Sequence, residues 1–425
     1  MKKQLYLNML FIRNLVITIL FGAAQLLNAQ STKERLEQIP GAIVRELSNG
    51  NFKEYYEVLL AQPIDHTNPY SKLFRQRIIV GINSIDSAVV MDTEGYASSY
   101  PLLTVYKHEL AALLNANLVL VEHRYFGHSV PDSMDYKFLT TRQAAEDVHR
   151  VKLALSSVLK GKWISTGISK GGQASLAHRI YYPQDVELTI VYGTAVKKAL
   201  HENKIDSMLN VLSETECGKK LEKFQWDLLD HKPELIQRLK QDEKMNDMSF
   251  GMDAETVLEY MILELPFAFW QMGYSCNDIP LANTQMRFLN IVRINSLYSY
   301  YAKSMKRTEP AFYMFYHELG YYEYDTRKFR SKLKQKEYSN RRFAPQGMKI
   351  TFDNSYLTAL GKFLATDNAE KVVFIYGEND PWSAMQETGR AKKFIVKNGS
   401  HRSRIADLSP EQKVELLGMI SRRLR

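Results

Sequence analysis

Apolar and polar positions along the chain fall into three regimes. From about residue 51 to 193, short apolar runs rich in Val, Ile, Leu, Tyr and Thr alternate with longer amphipathic ones. Phe52–Gln62, Leu73–Ile82, Ala88–Thr93, Asn117–His123, Trp163–Thr166 and Val186–Tyr192 read as strands. Tyr106–Leu114 and Arg142–Leu159 read as helices. In the second, Ala144, Val148, Val151 and Leu155 return at helical spacing and make one apolar face. From about 195 to 343 the spacing of three and four takes over, as in Val257, Leu258, Met261, Ile262 and Leu265, and no strand pattern appears. The alternation then resumes with a strand at Val372–Tyr376, a helix at Ser383–Ala391, a short strand at Phe394–Lys397 and a closing helix at Pro410–Arg423. Strand–helix alternation predicts an α/β class, with a mostly parallel sheet covered on both faces and interrupted by a helical cap. The expected divisions are residues 1–29, a first core part at 30–194, the cap at 195–345 and a second core part at 346–425.

The first division is read as a targeting segment rather than fold. Lys2, Lys3 and Arg13 precede the apolar run Leu15–Ala24, and Leu27-Asn28-Ala29 offers a small residue before Gln30. The run is short for a span of ~20 apolar residues, which predicts an exported protein, periplasmic or extracellular, without stable membrane insertion. Removing residues 1–29 lowers the net charge from +9 to +6. The remaining basic residues are interleaved with acids and aromatics, which argues against a nucleic-acid partner. Cys217 and Cys276 either pair in an oxidising compartment or stay as buried thiols. Two cysteines exclude a Cys-built zinc site, no His/carboxylate pair has metal-binding spacing, and no phosphate loop is present; no cofactor is expected.

Gly167-Ile168-Ser169-Lys170-Gly171 follows the strand Trp163–Thr166 and opens the helical run Gln173–Tyr182. A serine on such a tight turn needs small residues two before and two after it, because the strained backbone brings them together. The turn exposes the hydroxyl at a helix N-terminus and leaves the Lys170 N–H for a developing oxyanion. Serine needs a base and an orienting acid, which in a strand–turn–helix site of this type follow in the order acid, then His. His401 is the one His after His317, so it is the expected base; Asp380, in the turn Asn379-Asp380-Pro381, is the expected acid, with Glu378 as the alternative.

Glu122-His123-Arg124-Tyr125-Phe126-Gly127-His128-Ser129, the stretch Leu139–Asp147, Gly167–Gly172, Thr93–Tyr96, Glu318–Tyr322 and Tyr376–Trp382 together resemble the secreted bacterial tripeptidyl aminopeptidases. These serine peptidases are related to the lysosomal Pro-Xaa carboxypeptidase and dipeptidyl peptidase group. The carboxypeptidase branch carries Gly-Gly-Ser-Tyr-Gly-Gly at the nucleophile, and this chain departs from it. The resemblance implies an α/β-hydrolase core with a helical cap, the triad Ser169, Asp380 and His401, and removal of tripeptides or dipeptides from a free N-terminus.

An aminopeptidase must hold the substrate's ammonium, which calls for a carboxylate in a partly dry site. Glu94, Glu318 and Glu323 are the candidates, from the loop after the third strand and the tyrosine-rich end of the cap. The loop Thr93–Tyr96 is also where the second oxyanion donor is expected, from Tyr96 or Gly95. The Lys170 ammonium is expected to pair with an acid, and Glu122-His123-Arg124 to form a buried ionic support. Tyrosines between Tyr298 and Tyr324 form either a helix core or a substrate-facing wall. The competing functions are a Pro-Xaa carboxypeptidase-like peptidase, a carboxylic-ester hydrolase with the same triad, and a catalytically silent envelope binding protein.

Overall fold

The computed structural model describes residues 30–279 and 284–425. The expected targeting segment, residues 1–29, lies outside them. Nine strands form one sheet: β1 Ala42–Leu47, β2 Glu54–Pro63, β3 Leu73–Ile82, β4 Val89–Thr93, β5 Asn117–Val121, β6 Trp163–Ile168, β7 Leu188–Tyr192, β8 Val372–Gly377 and β9 Lys392–Val396. Their spatial order is β1-β2-β3-β5-β4-β6-β7-β8-β9. Pairings from β1 to β5 through β3 are antiparallel, and all those from β5 to β9 are parallel. The β5–β4–β6 crossover and the helices between parallel strands give the α/β-hydrolase topology.

Both faces of the sheet are covered, and the sequence says how. Ile78, Val80, Met91, Val119 and Val121 point to one face, against Val148, Val151 and Leu155 of the helix Thr141–Leu155. Their neighbours Ile79, Val90, Leu118 and Leu120 point to the other, against Leu416 and Ile420 of the helix Pro410–Leu424. This is the period-two alternation of a strand, buried on both sides. At ~1.5–3 kcal/mol for each fully buried aliphatic side chain, it fixes the register of the strands whose ends carry the site.

β1 was absent from the sequence reading: with Arg45 and Glu46 at an exposed sheet edge, it lacks the apolar run of an interior strand. The expected helix Ser383–Ala391 is instead a single 3₁₀ turn, Pro381–Met385. Asp380 accepts from the Trp382 N–H and the Ser383 hydroxyl donates to the Gly377 carbonyl, local bonds that compete with helix propagation.

Between β7 and β8 the described residues form helices and turns and no strand. A separate core gathers Phe224, Leu228, Leu258, Ile262, Phe269 and Tyr300 among others, all drawn from residues 221–343. The end of this block does not stand apart: Ala311, Met314 and Phe315 join Phe126, Leu176 and Tyr356 in the core beside the sheet. Cys217 and Cys276 form a disulfide with Cα atoms 5.1 Å apart, inside the helical block. Among the described residues no helix is long and apolar enough to cross a membrane, and no His/Cys/Asp/Glu group could hold a metal.

Candidate active site

The parallel strands β4, β6, β8 and β9 end on one edge of the sheet, where such folds carry their ligand sites. Ser169 follows β6 and caps the helix Lys170–Tyr181 with φ 55° and ψ −119°, a strained conformation for a non-glycine residue. The small neighbours expected around it are needed: a Cβ on Gly167 would lie 2.4 Å from the Gly171 carbonyl oxygen. The Ser169 hydroxyl makes no capping bond to its own helix, so it remains available.

Asp380 follows β8 and is fully buried; His401 follows β9. His401 Nδ1 and Asp380 Oδ2 are 2.7 Å apart, which leaves Nε2 as the open ring nitrogen. Glu378 turns away, accepting from the Asn398 N–H on the neighbouring loop.

The end of β7 joins this pair to the serine. Tyr192 O accepts from Ser169 N at 2.8 Å, and the Thr194 hydroxyl donates to Ser169 O at 3.3 Å. Gly193 lies between them with φ 52°, and a Cβ there would be 2.7 Å from His401 Nδ1 and 3.1 Å from Asp380 Oδ2. Glycine therefore lets the imidazole and carboxylate rest directly on the strand end that holds Ser169. Among the described residues no hydrogen bond joins Ser169 Oγ to His401; bonds of this kind tighten in the substrate complex. The cap supplies a further hold, since His401 N donates to the Gln271 carbonyl at 3.0 Å, at the end of the helix Ala254–Met272.

Ser169 opens on a cavity of about 90 Å³ whose wall includes Tyr96, Lys170, Lys197, Gln271, Tyr321 and Trp382. Tyr96 and Lys170 are thus both at the serine. The buried Lys170 ammonium does not pair with an acid as expected. It donates to the Gly95 carbonyl at 2.8 Å and lies 5.5 and 5.1 Å from the ring centres of Tyr96 and Phe126. Burial lowers its pKa to about 7. Lys197, which the sequence reading missed, repeats this arrangement across the cavity. It donates to the Gly320 carbonyl, lies 4.9 Å from the Trp382 ring centre, and is also lowered to about 7 by burial.

Glu122 and Arg124 form the expected buried support. Glu122 accepts from Ser98 N at 2.9 Å and from Arg77, which fixes the loop beyond Tyr96, and Arg124 pairs with Asp147 at 2.6 Å.

The three candidate amine anchors are not brought to the cavity wall. Glu318 is buried and accepts from Thr141 N at 2.6 Å, stabilising the first turn of a core helix; burial raises its pKa. Glu323 accepts from the Tyr316 hydroxyl, the Ser339 hydroxyl and the Asn340 N–H. Glu94 accepts from the Tyr100 hydroxyl, and burial, with nearby Asp92, raises its pKa to about 8. The tyrosines resolve into both expected roles: Tyr300 and Tyr301 belong to the cap core, while Tyr321 faces the serine.

The family profile of PS-10 peptidase S37 matches residues 27–421. The chain belongs to that family. This S37 member is a serine peptidase acting on peptides, which sets aside the readings as an ester hydrolase or a silent envelope protein. It is 27% identical over 399 residues to the prolyl tri/tetrapeptidyl aminopeptidase of Streptomyces mobaraensis, covering 90% of this chain and 83% of that one. It is 30% identical over 151 residues to the human lysosomal Pro-X carboxypeptidase, covering 32% of this chain and 30% of that one. A solved proline iminopeptidase of Mycobacterium smegmatis aligns over 90% of this chain and 98% of its own at 12% identity, with a TM-score of 0.36.

Proposed function

We propose that this S37 peptidase is an exported exopeptidase that releases short peptides, tripeptides or dipeptides, from free N-termini through an acyl-Ser169 intermediate. The carrying observation is the 2.7 Å Asp380–His401 contact resting on Gly193, beside the residues that bind the Ser169 backbone. In acylation, Ser169 Oγ bonds to the scissile carbonyl carbon while its proton passes to His401 Nε2. Asp380 stabilises the resulting imidazolium at Nδ1. The carbonyl oxygen, now negative, accepts from the backbone N–H groups of Lys170 and Tyr96, Gly95 being the alternative second donor. The C–N bond then breaks as His401 returns the proton to the leaving amine. Water, activated by the same imidazole, releases the acyl group. The N-terminal preference is supported by the aminopeptidase relative that spans most of the chain. Export is supported by the leader-like sequence at residues 1–29 and by the Cys217–Cys276 disulfide, a bond of oxidising compartments.

Ser169→Ala is expected to lower kcat on a tripeptidyl p-nitroanilide on the order of 10⁵-fold or more, and to abolish labelling by a fluorophosphonate. Retention of either rejects Ser169 as nucleophile. N-acetylation of the substrate is expected to stop turnover, and equal cleavage of the blocked peptide rejects the N-terminal reading. One observation favours a Pro-Xaa carboxypeptidase-like second reading: the ionisable side chains of lysine or acid type on the cavity wall, Lys170 and Lys197, are both basic. Mass spectrometry of products from a peptide library separates the two by the chain end released.

A further inference from the structure

The helix Ala254–Met272 touches the site at its last turn, where Gln271 lines the Ser169 cavity and holds His401. Glu264 lies seven residues earlier. Two helical turns place it on the same face as Gln271, ~10 Å away along the axis. Its carboxylate accepts from the Tyr322 hydroxyl at 2.7 and 2.9 Å and from the Tyr324 hydroxyl at 2.9 Å. Among the described residues no Lys, Arg or His forms an ion pair with it, unlike Glu259 and Glu309 elsewhere in the cap, which each meet a lysine. Two neutral hydroxyls fill only part of a carboxylate's acceptor capacity. A largely buried carboxylate without a cation is costly, and burial raises its pKa to about 7.

The surroundings suit an ammonium. The Tyr322 ring stacks on Phe267 at 4.1 Å and meets Trp382 at 5.6 Å, and Trp382 lines the Ser169 cavity. A chain of packed aromatic rings therefore links the wall of the Ser169 cavity to Glu264, and aromatic ring faces attract cations. Tyr322 and Tyr324 also line a separate cleft of about 120 Å³ in the cap, with Phe267 and Trp270 on its wall. An extended chain advances ~3.3–3.6 Å per residue, so three residues cover the two-turn separation between Gln271 and Glu264.

We propose that Glu264, framed by Tyr322 and Tyr324, binds the α-ammonium of the substrate and sets a three-residue step between the free N-terminus and the bond cut at Ser169. The proposal rests on the N-terminal reading above. It takes the role for which Glu94, Glu318 and Glu323 were the candidates; Glu264, like them, lies behind the wall of the Ser169 cavity, to which Tyr322 and Trp382 link it. Glu264 carries no step of the chemistry; it is a binding residue for the non-reacting end.

The test compares kcat/KM for a free and an N-acetylated tripeptidyl p-nitroanilide in the full chain and in Glu264→Gln. The preference for the free amine is expected to fall at least tenfold in the variant, mainly through a higher KM. In a library digest, the strict three-residue step is expected to blur. Tyr322→Phe and Tyr324→Phe, each removing one hydroxyl, provide a milder second route and are expected to reduce the preference in the same direction if Glu264→Gln fails to fold. A wild type that cuts both substrates equally overturns the N-terminal reading itself. A wild type that discriminates, with folded variants that discriminate as strongly, overturns the Glu264 assignment alone.

Discussion

The sheet and the cap hold their polar groups in different ways. Ser169, Asp380 and His401 stand at one edge of a sheet whose interior is apolar and buried, with Val89, Met91, Leu118, Ile190 and Phe374 at no measurable exposure. The cap positions its groups through hydroxyl–carboxylate contacts, such as Tyr322 and Tyr324 on Glu264, Tyr316 on Glu323 and Tyr338 on Glu259. Apolar packing is insensitive to pH and defines a rigid frame. Tyrosine–carboxylate networks depend on protonation and on every partner being present. On the reading proposed above, the chemistry is framed by the sheet, while recognition is placed where conditions and sequence change can adjust it.

The largest expected effect tests the cap's independence. Closing a loop with a sequence separation of 59, the disulfide contributes about 4 kcal/mol. Cys217→Ser is expected to remove most of that from the unfolding free energy. Hydrogen exchange should accelerate in the helix Ala254–Met272 while β4–β8 stay protected. Uniform loss across both regions would mean that they unfold as one unit.

Gly193→Ala tests the frame from the other side. The new Cβ, 2.7 Å from His401 Nδ1 at a residue with φ 52°, must displace the imidazole. A shift of about 1 Å at such a site costs on the order of 10²-fold in kcat. Steady-state kinetics with KM close to wild type is the expected result, and an unchanged kcat would show that the strand end does not set the ring.

The smallest effect concerns the cation between the two regions. Lys197 ionises near 7 in the folded chain and near 10.5 when unfolded. Between these values the unfolded chain binds the extra proton, so this residue makes stability rise with pH across that window. Below about 7 both states are protonated and its burial cost is at its maximum. Lys197→Met is expected to flatten that slope in urea midpoints measured from about pH 7 to about pH 10; an unchanged slope assigns the dependence elsewhere, Lys170 being the first candidate.

What was legible in the sequence follows the same divide. The Ser169 turn, the acid after β8 and the sole late histidine are local signals, each set by glycine, proline or strand boundaries nearby. β1 was missed because an exposed edge strand with adjacent charges has no apolar run to announce it. Glu318 looked like a site residue from its tyrosine neighbours, but its partner is the Thr141 N–H, 177 residues away. Glu264 drew no notice for the converse reason: within its own helix it is one acid among apolar residues, and its hydroxyl partners are 58 and 60 positions distant. Lys197 likewise gains its character from Trp382 and Gly320, which only the folded chain brings to it.

The bond from His401 N to the Gln271 carbonyl ties the proposed general base to the roof above it. Any swing of that helix wide enough to admit a bulky folded protein must drag the imidazole off its seat or sever its tether. With His401 as the proposed base, the seat of the imidazole and the place of the roof are thus coupled through one backbone hydrogen bond.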